Sequence, residues 1–184
     1  RISFGCMRWI TLISTGGTLE KTYDERTGSL ENRKSVLHRL LRRLRLEDVN
    51  VNIVELMQKD SLHMTEQDRQ RILSAVRDFG GTGEMPTETT GIVITHGTDT
   101  LEKTGEVLWR GIPSPRIPIV LTGAWRPFEL GRSDAQQNLT EALFAANVLE
   151  PGVWCVAHGR ALQFPGVVKD RVRNTFVRRE GSAA

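Results

Sequence analysis

Short runs of apolar residues alternate along the chain with stretches in which apolar positions recur every three or four residues. The runs predict strands and the periodic stretches predict amphipathic helices. The predicted strands cover 9–14, 51–57, 91–95, 119–122 and 152–157, with a short extended piece at 166–169, and the predicted helices cover 35–46, 65–79, 100–110 and 134–148. Continuous apolar strands alternating with helices indicate an α/β fold: a single three-layer domain whose mostly parallel, doubly wound sheet has helices on both faces.

Two predicted helices begin with capping signals. Thr65 is followed three residues later by Asp68, which resembles a capping box. Asp134 can cap the helix that runs through Val148. Several arginines in the 35–46 stretch lie opposite its apolar positions, so we expect them to form the solvated face of that helix.

Composition excludes several classes of protein. The chain has 184 residues, of which 39% are hydrophobic and 26% charged, as in globular proteins and unlike disordered or collagen-like chains. No apolar run approaches the ~18 residues that span a bilayer, so no membrane partner is expected. The formal net charge of +3 is mild, so we expect no nucleic-acid partner, although the arginines at 39–45 keep an RNA or DNA binder open as an alternative.

The ends of the chain and its cysteines bear on location and domain limits. Cys6 and Cys155 lie far apart and lack metal-ligand spacing, which favours a reducing, cytoplasmic compartment and no metal site. The first ten residues contain no apolar segment typical of a secretory signal. Since Met7 is a plausible native start, we expect residues 1–6 to be extra or non-native, with one catalytic domain over 7–180 and no second domain.

Small, hydroxylated or glycine residues follow four of the predicted strands. They are Thr15-Gly16-Gly17-Thr18, Asp60-Ser61, His96-Gly97-Thr98-Asp99-Thr100 and Gly123-Ala124. Ligands of parallel sheets bind at the carboxyl ends of strands, and this composition is typical of a tight pocket for a small polar ligand. The first segment lacks the glycine spacing of nucleotide-binding loops.

Each candidate also has a purely structural interpretation. Thr18 presents a hydroxyl after two glycines, or simply completes a turn. Thr98 and Asp99 are acid-base or nucleophile candidates, or they cap the following helix. His96 invites a Ser-His-Asp scheme, but we expect a packed, hydrogen-bonded histidine. Lys169 follows buried strand positions and is either a base or a surface lysine.

Three segments together resemble the bacterial-type L-asparaginase family, in a short form with the N-terminal catalytic domain only. They are Thr15–Leu19, Thr95–Thr100 and Leu121–Pro127. The first two resemble the family's two active-site signatures, in the same order and separation, and the third is an additional block. The resemblance runs from about Trp9 to Lys169. It implies hydrolysis of L-asparagine to L-aspartate and ammonia, no metal or organic cofactor, and a homo-oligomer, either a dimer or a tetramer.

The resemblance also implies roles for individual residues. Thr18 is similar to the nucleophile that forms the acyl-enzyme, and Tyr23 to a mobile-loop tyrosine that hydrogen-bonds it. Lys169 is similar to a base that works through Thr98, beside Asp99. The remaining substrate contacts implied are Ser61 with Asp99 for the substrate carboxylate and ammonium, the backbone of Gly97 and Ala124, with Ala124 against the leaving amide, and Gly17 in the glycine turn that could supply oxyanion donors.

Three departures from the family pattern favour weaker substrate binding. The chain stops soon after Lys169, where family members continue into a second domain, and the acidic group near the substrate amine has no counterpart here. Leu62 follows Ser61 where a polar residue is common, and Trp125 replaces a smaller residue. Two alternatives therefore stay open: a binding or regulatory module with weak or no turnover, and an amidase for glutamine or another small amide.

Overall fold

The computed structural model describes residues 7–82 and 88–179, and the expectation about residues 1–6 lies outside this range. The strands, in chain order, are β1 (Arg8–Gly16), β2 (Thr22–Asp24), β3 (Ser29–Glu31), β4 (Val49–Lys59), β5 (Gly91–Thr95), β6 (Pro118–Thr122), β7 (Gly152–Ala157), β8 (Arg160–Gln163), β9 (Val167–Asp170) and β10 (Thr175–Arg178). The α-helices are α1 (Leu37–Leu41), α2 (Glu66–Asp78), α3 (Leu101–Gly111) and α4 (Ala135–Val148), and 3-10 turns cover Thr18–Glu20 and Ser61–His63.

Six strands form the central sheet in the order β4-β1-β5-β6-β7-β8. All neighbours are parallel except β7 and β8, which are antiparallel. Two small antiparallel pairs, β2-β3 and β9-β10, lie beside it. The predicted mostly parallel α/β sheet is therefore confirmed.

Helices cover both faces of the sheet, because side chains of one strand alternate between two hydrophobic clusters. In β5, Ile92 and Ile94 pack with α2 and α3, whereas Val93 packs with α1 and α4. All five residues of β5 are buried. The strand is thus apolar throughout, as expected for a strand covered on both sides.

Strand register brings the carboxyl ends of β4, β1, β5 and β6 to one edge. Ser14 pairs with Thr95, and Thr95 pairs with Thr122. A register shift after Ser14 places Gly16 opposite Lys59. The four polar segments singled out in the sequence consequently leave the sheet side by side.

The capping box predicted for α2 is present. The Thr65 hydroxyl accepts from the Asp68 backbone N–H at 3.2 Å, and the Asp68 carboxylate accepts from the Thr65 N–H at 2.8 Å. Lys59 Nζ donates to the same carboxylate at 2.6 Å. These bonds, led by that of Lys59, outweigh burial and lower the pKa of Asp68 to about 2.

The sequence prediction was wrong for the length of α1 and for the capping bond of Asp134, although α4 begins directly after Asp134 as predicted. The first helix spans only 37–41. Arg39, Arg42, Arg43 and Arg45 are exposed, as predicted, and Arg43 also lies over the Phe128 ring at 4.6 Å. The Asp134 side chain makes no capping bond. Its carboxylate instead accepts from the backbone N–H groups of Trp125 and Arg126, at 3.0–3.1 Å. The hairpin β2-β3 lies in a segment predicted to be a loop.

Candidate active site

Two glycines bring three strand exits into contact. A Cβ atom on Gly17, which has a φ of 78°, would lie 2.4 Å from the Gly97 backbone nitrogen. A Cβ atom on Gly97 would lie 2.4 Å from Ser61 Oγ. Contacts this close are open only to glycine. The segments after β1, β4 and β5 therefore meet around Gly17, Gly97 and Ser61, as the sequence predicted.

Thr18 opens a 3-10 turn directly after this contact. Its backbone is fixed through Gly17, whose N–H donates to Lys59 O at 2.9 Å and whose carbonyl accepts from Asn32 Nδ2 at 2.8 Å. Thr18 itself is half-buried. Within residues 7–82 and 88–179 its hydroxyl has no hydrogen-bond partner, so the oxygen is available to a ligand.

The buried carboxylate of Glu20, the last residue of the same turn, bonds the turn to three strands. Glu20 is fully buried and accepts from Ser14 Oγ at 2.6 Å, Thr95 Oγ1 at 3.0 Å and Gln58 Nε2 at 3.3 Å. These three donors belong to β1, β5 and β4. The sequence analysis missed Glu20, since a glutamate in a polar loop gives no signal of burial.

Lys169 on β9 forms hydrogen bonds with both Thr98 and Asp99. Its Nζ donates to Thr98 Oγ1 at 2.7 Å and to Asp99 Oδ1 at 2.9 Å. Arg171 also pairs with Asp99 Oδ1, at 3.1 Å. The Lys169 side chain is only 10% exposed, so of its two sequence interpretations the surface lysine is excluded. Glu102 anchors it by accepting from the Lys169 backbone N–H at 2.7 Å.

The carboxylate of Asp99 is held ionised. Burial opposes ionisation, but the hydrogen bond and charge of Lys169, together with Arg171, outweigh it and lower the pKa of Asp99. A negative charge next to the Gly17–Gly97 contact can pair with a ligand ammonium group.

His96 is a packed histidine, as the sequence analysis expected. It is fully buried, with Nδ1 2.8 Å from Gly97 O and Nε2 2.8 Å from Thr104 Oγ1. A carbonyl only accepts, so Nδ1 donates and Nε2 accepts from the threonine. Burial, together with the charge of Arg69, lowers the pKa of His96 to about 4, which keeps the ring neutral.

Ser61 is positioned by its neighbours but leaves its hydroxyl free. Its carbonyl accepts from Thr100 Oγ1 at 2.9 Å. The preceding Asp60 accepts from Lys21 Nζ at 2.7 Å, which ties this turn to the loop that follows Thr18. Ser61 Oγ is buried and has no hydrogen-bond partner within the described ranges. An unsatisfied buried hydroxyl is expected to find a partner in a ligand.

The segment after β6 closes one side of the cluster. A Cβ atom on Gly123 would lie 2.3 Å from His96 O and 3.2 Å from Thr98 Cγ2. Ala124, the next residue, is fully buried. The Trp125 ring then lies 5.4 Å from Lys169 Nζ and 4.7 Å from the His158 ring. The sequence analysis did not single out His158.

Tyr23 is not brought to Thr18. It lies on β2 and is 55% exposed, and its hydroxyl lies 4.0 Å from the Cβ position of Gly28. In the part of the chain that the structure describes, the Tyr23 and Thr18 side chains share no hydrogen bond. The role of Tyr23 therefore stays a prediction.

The remaining titratable groups of the described residues offer neither a metal site nor a reactive thiol. Among residues 7–82 and 88–179, no group of three or more His, Cys, Asp or Glu side chains could hold a metal ion. Cys155 is buried and unpaired, and burial raises the pKa of its thiol, so it is unreactive. Over the same described residues no helix is long and apolar enough to cross a bilayer.

The arrangement can carry out acyl transfer at a small amide. It places a free hydroxyl, a lysine-threonine pair, an ionised carboxylate and closely packed backbone at one edge of the sheet. A nucleophile, a proton acceptor and donors for an oxyanion are what amide hydrolysis needs.

Comparisons with known proteins agree with this geometry. The family model described as "Asparaginase, N-terminal" matches residues 9–176. A glutamyl-tRNA(Gln) amidotransferase component from Methanococcus vannielii is 32% identical over 152 residues, which are 82% of this chain and 34% of that protein. The L-asparaginase of Thermococcus kodakarensis is 50% identical over 64 residues, covering 35% of this chain and 20% of that protein.

Solved structures give the same result. The thermostable L-asparaginase of Thermococcus kodakarensis superposes with a TM-score of 0.81 at 29% identity, over 92% of this chain and 51% of that one. L-asparaginase I of Vibrio cholerae superposes with a TM-score of 0.75 at 22% identity, over 94% and 52%, which bears on the fold alone. This chain thus spans about a third of the matched amidotransferase component and about half of the matched structures.

Proposed function

This chain belongs to the asparaginase family of amidohydrolases, and from that premise we propose that it hydrolyses L-asparagine to L-aspartate and ammonia through an acyl-enzyme on Thr18. The observation that supports the proposal most is the 2.7 Å hydrogen bond between Lys169 Nζ and Thr98 Oγ1. It joins a lysine whose side chain is only 10% exposed to a hydroxyl one residue beyond the Gly17–Gly97 contact. A solvated helix cap does not need such a partner.

In the proposed first step, Thr18 Oγ1 attacks the carboxamide carbon of the substrate. For this step Lys169 is in its neutral form: Thr98 passes its own hydroxyl proton to Lys169 Nζ and accepts the proton of Thr18, and backbone N–H groups of the glycine turn stabilise the oxyanion. The C–N bond then breaks, the proton goes to the leaving nitrogen, and ammonia departs. Water, deprotonated by the same pair, hydrolyses the ester and regenerates Thr18.

The proposed substrate contacts use groups that the fold leaves available. The Asp99 carboxylate receives the substrate ammonium, and Ser61 Oγ binds its α-carboxylate. Gly97 and Ala124 line the amide end. Because Asp99 already pairs with Lys169 and Arg171, its attraction for the ammonium is shared, which is consistent with weak substrate binding.

A second candidate is ammonia production for an amidotransferase. It is favoured by the likeness to the glutamyl-tRNA(Gln) amidotransferase component, which covers 82% of this chain. Glutamine is then the substrate, and a partner protein receives the ammonia. One methylene group changes binding in a pocket by only about 1–3 kcal/mol, so the fold does not separate the two amides.

The test is an ammonia assay on the purified protein with L-asparagine and L-glutamine. We expect release from L-asparagine, none from Thr18→Ala, and normal release from Thr140→Ala, which removes an exposed hydroxyl on α4. Preference for glutamine supports the amidotransferase-like candidate. Calorimetric binding of L-asparagine without turnover supports a binding module instead. Full activity of Thr18→Ala contradicts the mechanism. The proposed dimer or tetramer is tested separately by analytical ultracentrifugation.

A further inference from the structure

A buried guanidinium group lies behind the Ser61 turn without a carboxylate partner. Arg69 on α2 is 7% exposed. Its Nε is buried and has no hydrogen-bond partner within the described ranges, and its Nη1 donates to Met64 O at 3.3 Å. Arginine stays charged at any physiological pH. A buried charge without a partner is costly, and this one calls for an anion.

The nearby carboxylates are already engaged. Asp68, the preceding residue, binds Lys59 Nζ at 2.6 Å and the Thr65 N–H at 2.8 Å. Asp60 binds Lys21 Nζ at 2.7 Å and the Leu62 N–H at 3.0 Å. Within residues 7–82 and 88–179, no Asp or Glu oxygen lies within 4.0 Å of Arg69. Within these residues the charge of Arg69 therefore stays unpaired.

Arg69 is hydrogen-bonded to Met64, the residue directly after the Ser61–His63 turn. Met64, whose carbonyl receives the guanidinium bond, donates its own N–H to Ser61 O at 3.2 Å. The charge of Arg69 also contributes to the lowered pKa of His96, next to Gly97. Gly97 in turn is the residue that packs against Ser61 Oγ. The buried Arg69 and the unpartnered hydroxyl of Ser61 are thus linked by the Ser61–His63 turn, which begins at Ser61 and is followed by Met64.

We propose that Arg69 determines specificity for an α-carboxylate: its buried charge, acting through the Ser61–His63 turn, favours amino-acid ligands whose carboxylate binds at Ser61. This inference rests on the proposed function, since it assigns the acidic end of the same ligand. Arg69 is a positioning residue and does not itself touch the substrate. In a low-dielectric interior a charge acts over longer distances than in water.

The experiment compares two ligands that differ only in the α-carboxylate. L-aspartate, the proposed product, and β-alanine are titrated into the full chain and followed by NMR, which measures millimolar affinities. The variants are Arg69→Gln, which removes the charge, and Arg69→Lys, which keeps it. Arg71→Met is the matched control, because Arg71 is an exposed arginine on the same helix that bonds Leu56 O.

Arg69→Gln is expected to weaken L-aspartate binding by about tenfold or more and β-alanine binding by less than about threefold. Arg69→Lys restores most of the loss, and Arg71→Met changes neither affinity. An equal loss for both ligands, or no loss for L-aspartate, overturns the role of Arg69. If the wild-type protein binds neither ligand, the proposed function itself fails.

A measurement on the wild-type protein covers the case in which the neutral variant does not fold. The Nε–H resonance of Arg69, assigned by its loss in Arg69→Lys, is expected to shift on addition of L-aspartate and to stay unchanged with β-alanine. A resonance that ignores both ligands, while backbone signals of Gly97 respond, contradicts the proposal.

Discussion

Lys169 Nζ lies 2.7 Å from Thr98 Oγ1, although 71 residues separate the two in the chain. Lys169 lies on β9, and Phe176 of β10 pairs directly with it. Phe176 also contacts the Trp125 ring, with the centroids 5.2 Å apart. The β9-β10 pair therefore carries the lysine to the carboxyl edge of the sheet, where Thr98 leaves β5.

Replacing Lys169 by methionine is expected to lower kcat for L-asparagine by about two to four decades, the usual contribution of a positioned acid-base group. The methionine keeps most of the aliphatic volume, so circular dichroism should show an unchanged fold. Lys103→Met, which alters an exposed lysine on α3, serves as the control and keeps full activity. An unchanged kcat in Lys169→Met would remove the lysine from the mechanism.

Thr98 and Lys169 are expected to act as one unit. If the proton moves through both, Thr98→Ala loses about as much activity as Lys169→Met, and the double variant loses little more than either. Steady-state kinetics on the three variants measures this coupling. Losses that multiply in the double variant would show two independent roles.

Gly17→Ala is expected to unfold the site and abolish turnover. The added Cβ would lie 2.4 Å from Gly97 N, in a backbone conformation with a φ of 78°. Gly159 is the matched control, since its φ is 74° and a Cβ there meets nothing within 4 Å. Gly159→Ala should therefore cost only about 1 kcal/mol of backbone strain and keep activity. Equal loss of stability in the two variants would mean that backbone strain at positive φ, and not the clash of the added Cβ with Gly97, destabilises Gly17→Ala.

Stability is expected to fall on acidification because of His96. Burial lowers the pKa of the ring to about 4 in the folded protein, whereas the unfolded chain binds a proton below the ordinary value of 6.5. The contribution of the neutral ring is complete above pH 6.5 and is lost as the pH falls towards 4, by up to about 1.4 kcal/mol per pH unit. Urea unfolding at several pH values measures how the free energy of unfolding depends on pH. This dependence should be shallower for His96→Gln and unchanged for the exposed His38→Gln. If His96→Gln leaves the pH dependence of the free energy of unfolding unchanged, His96 is not its source.

The sequence predicted the buried part of the sheet well. The bounds of β5 and β7, 91–95 and 152–157, agree with the structure because these strands are covered on both faces and are therefore continuously apolar. The start of α2 was also predicted, since Thr65 and Asp68 form a capping box that depends only on local residues. The meeting of the four polar segments at one edge of the sheet was predicted too, because parallel strands have their carboxyl ends at a common edge.

The short strands β2, β3, β8 and β10 were missed. Their pairing is set by contacts with the rest of the fold rather than by their own pattern, and β8 is mostly exposed. The helix over 35–46 was predicted too long. The apolar spacing continues to Leu44, but the α-helix ends at Leu41, and the N–H groups of Arg43 and Leu44 donate only three residues back, to Leu40 O and Leu41 O.

Within the site, the sequence singled out residues whose types carry chemistry and overlooked residues whose environment does. Thr98, Asp99 and Lys169 were named, and the structure joins them by hydrogen bonds. Glu20 and Arg69 were not, because a charged residue in a loop or helix is ordinarily solvated. Only the tertiary fold reveals that both are buried.

The central claim is a covalent bond between Thr18 Oγ1 and the substrate acyl group. Its most direct test is the intact mass of the protein, quenched in acid during turnover of L-asparagine, followed by peptide mapping. We predict an added aspartyl group on the peptide that contains Thr18, absent from Thr18→Ala. Turnover with no adduct at Thr18, or an adduct that persists in Thr18→Ala, would contradict the account.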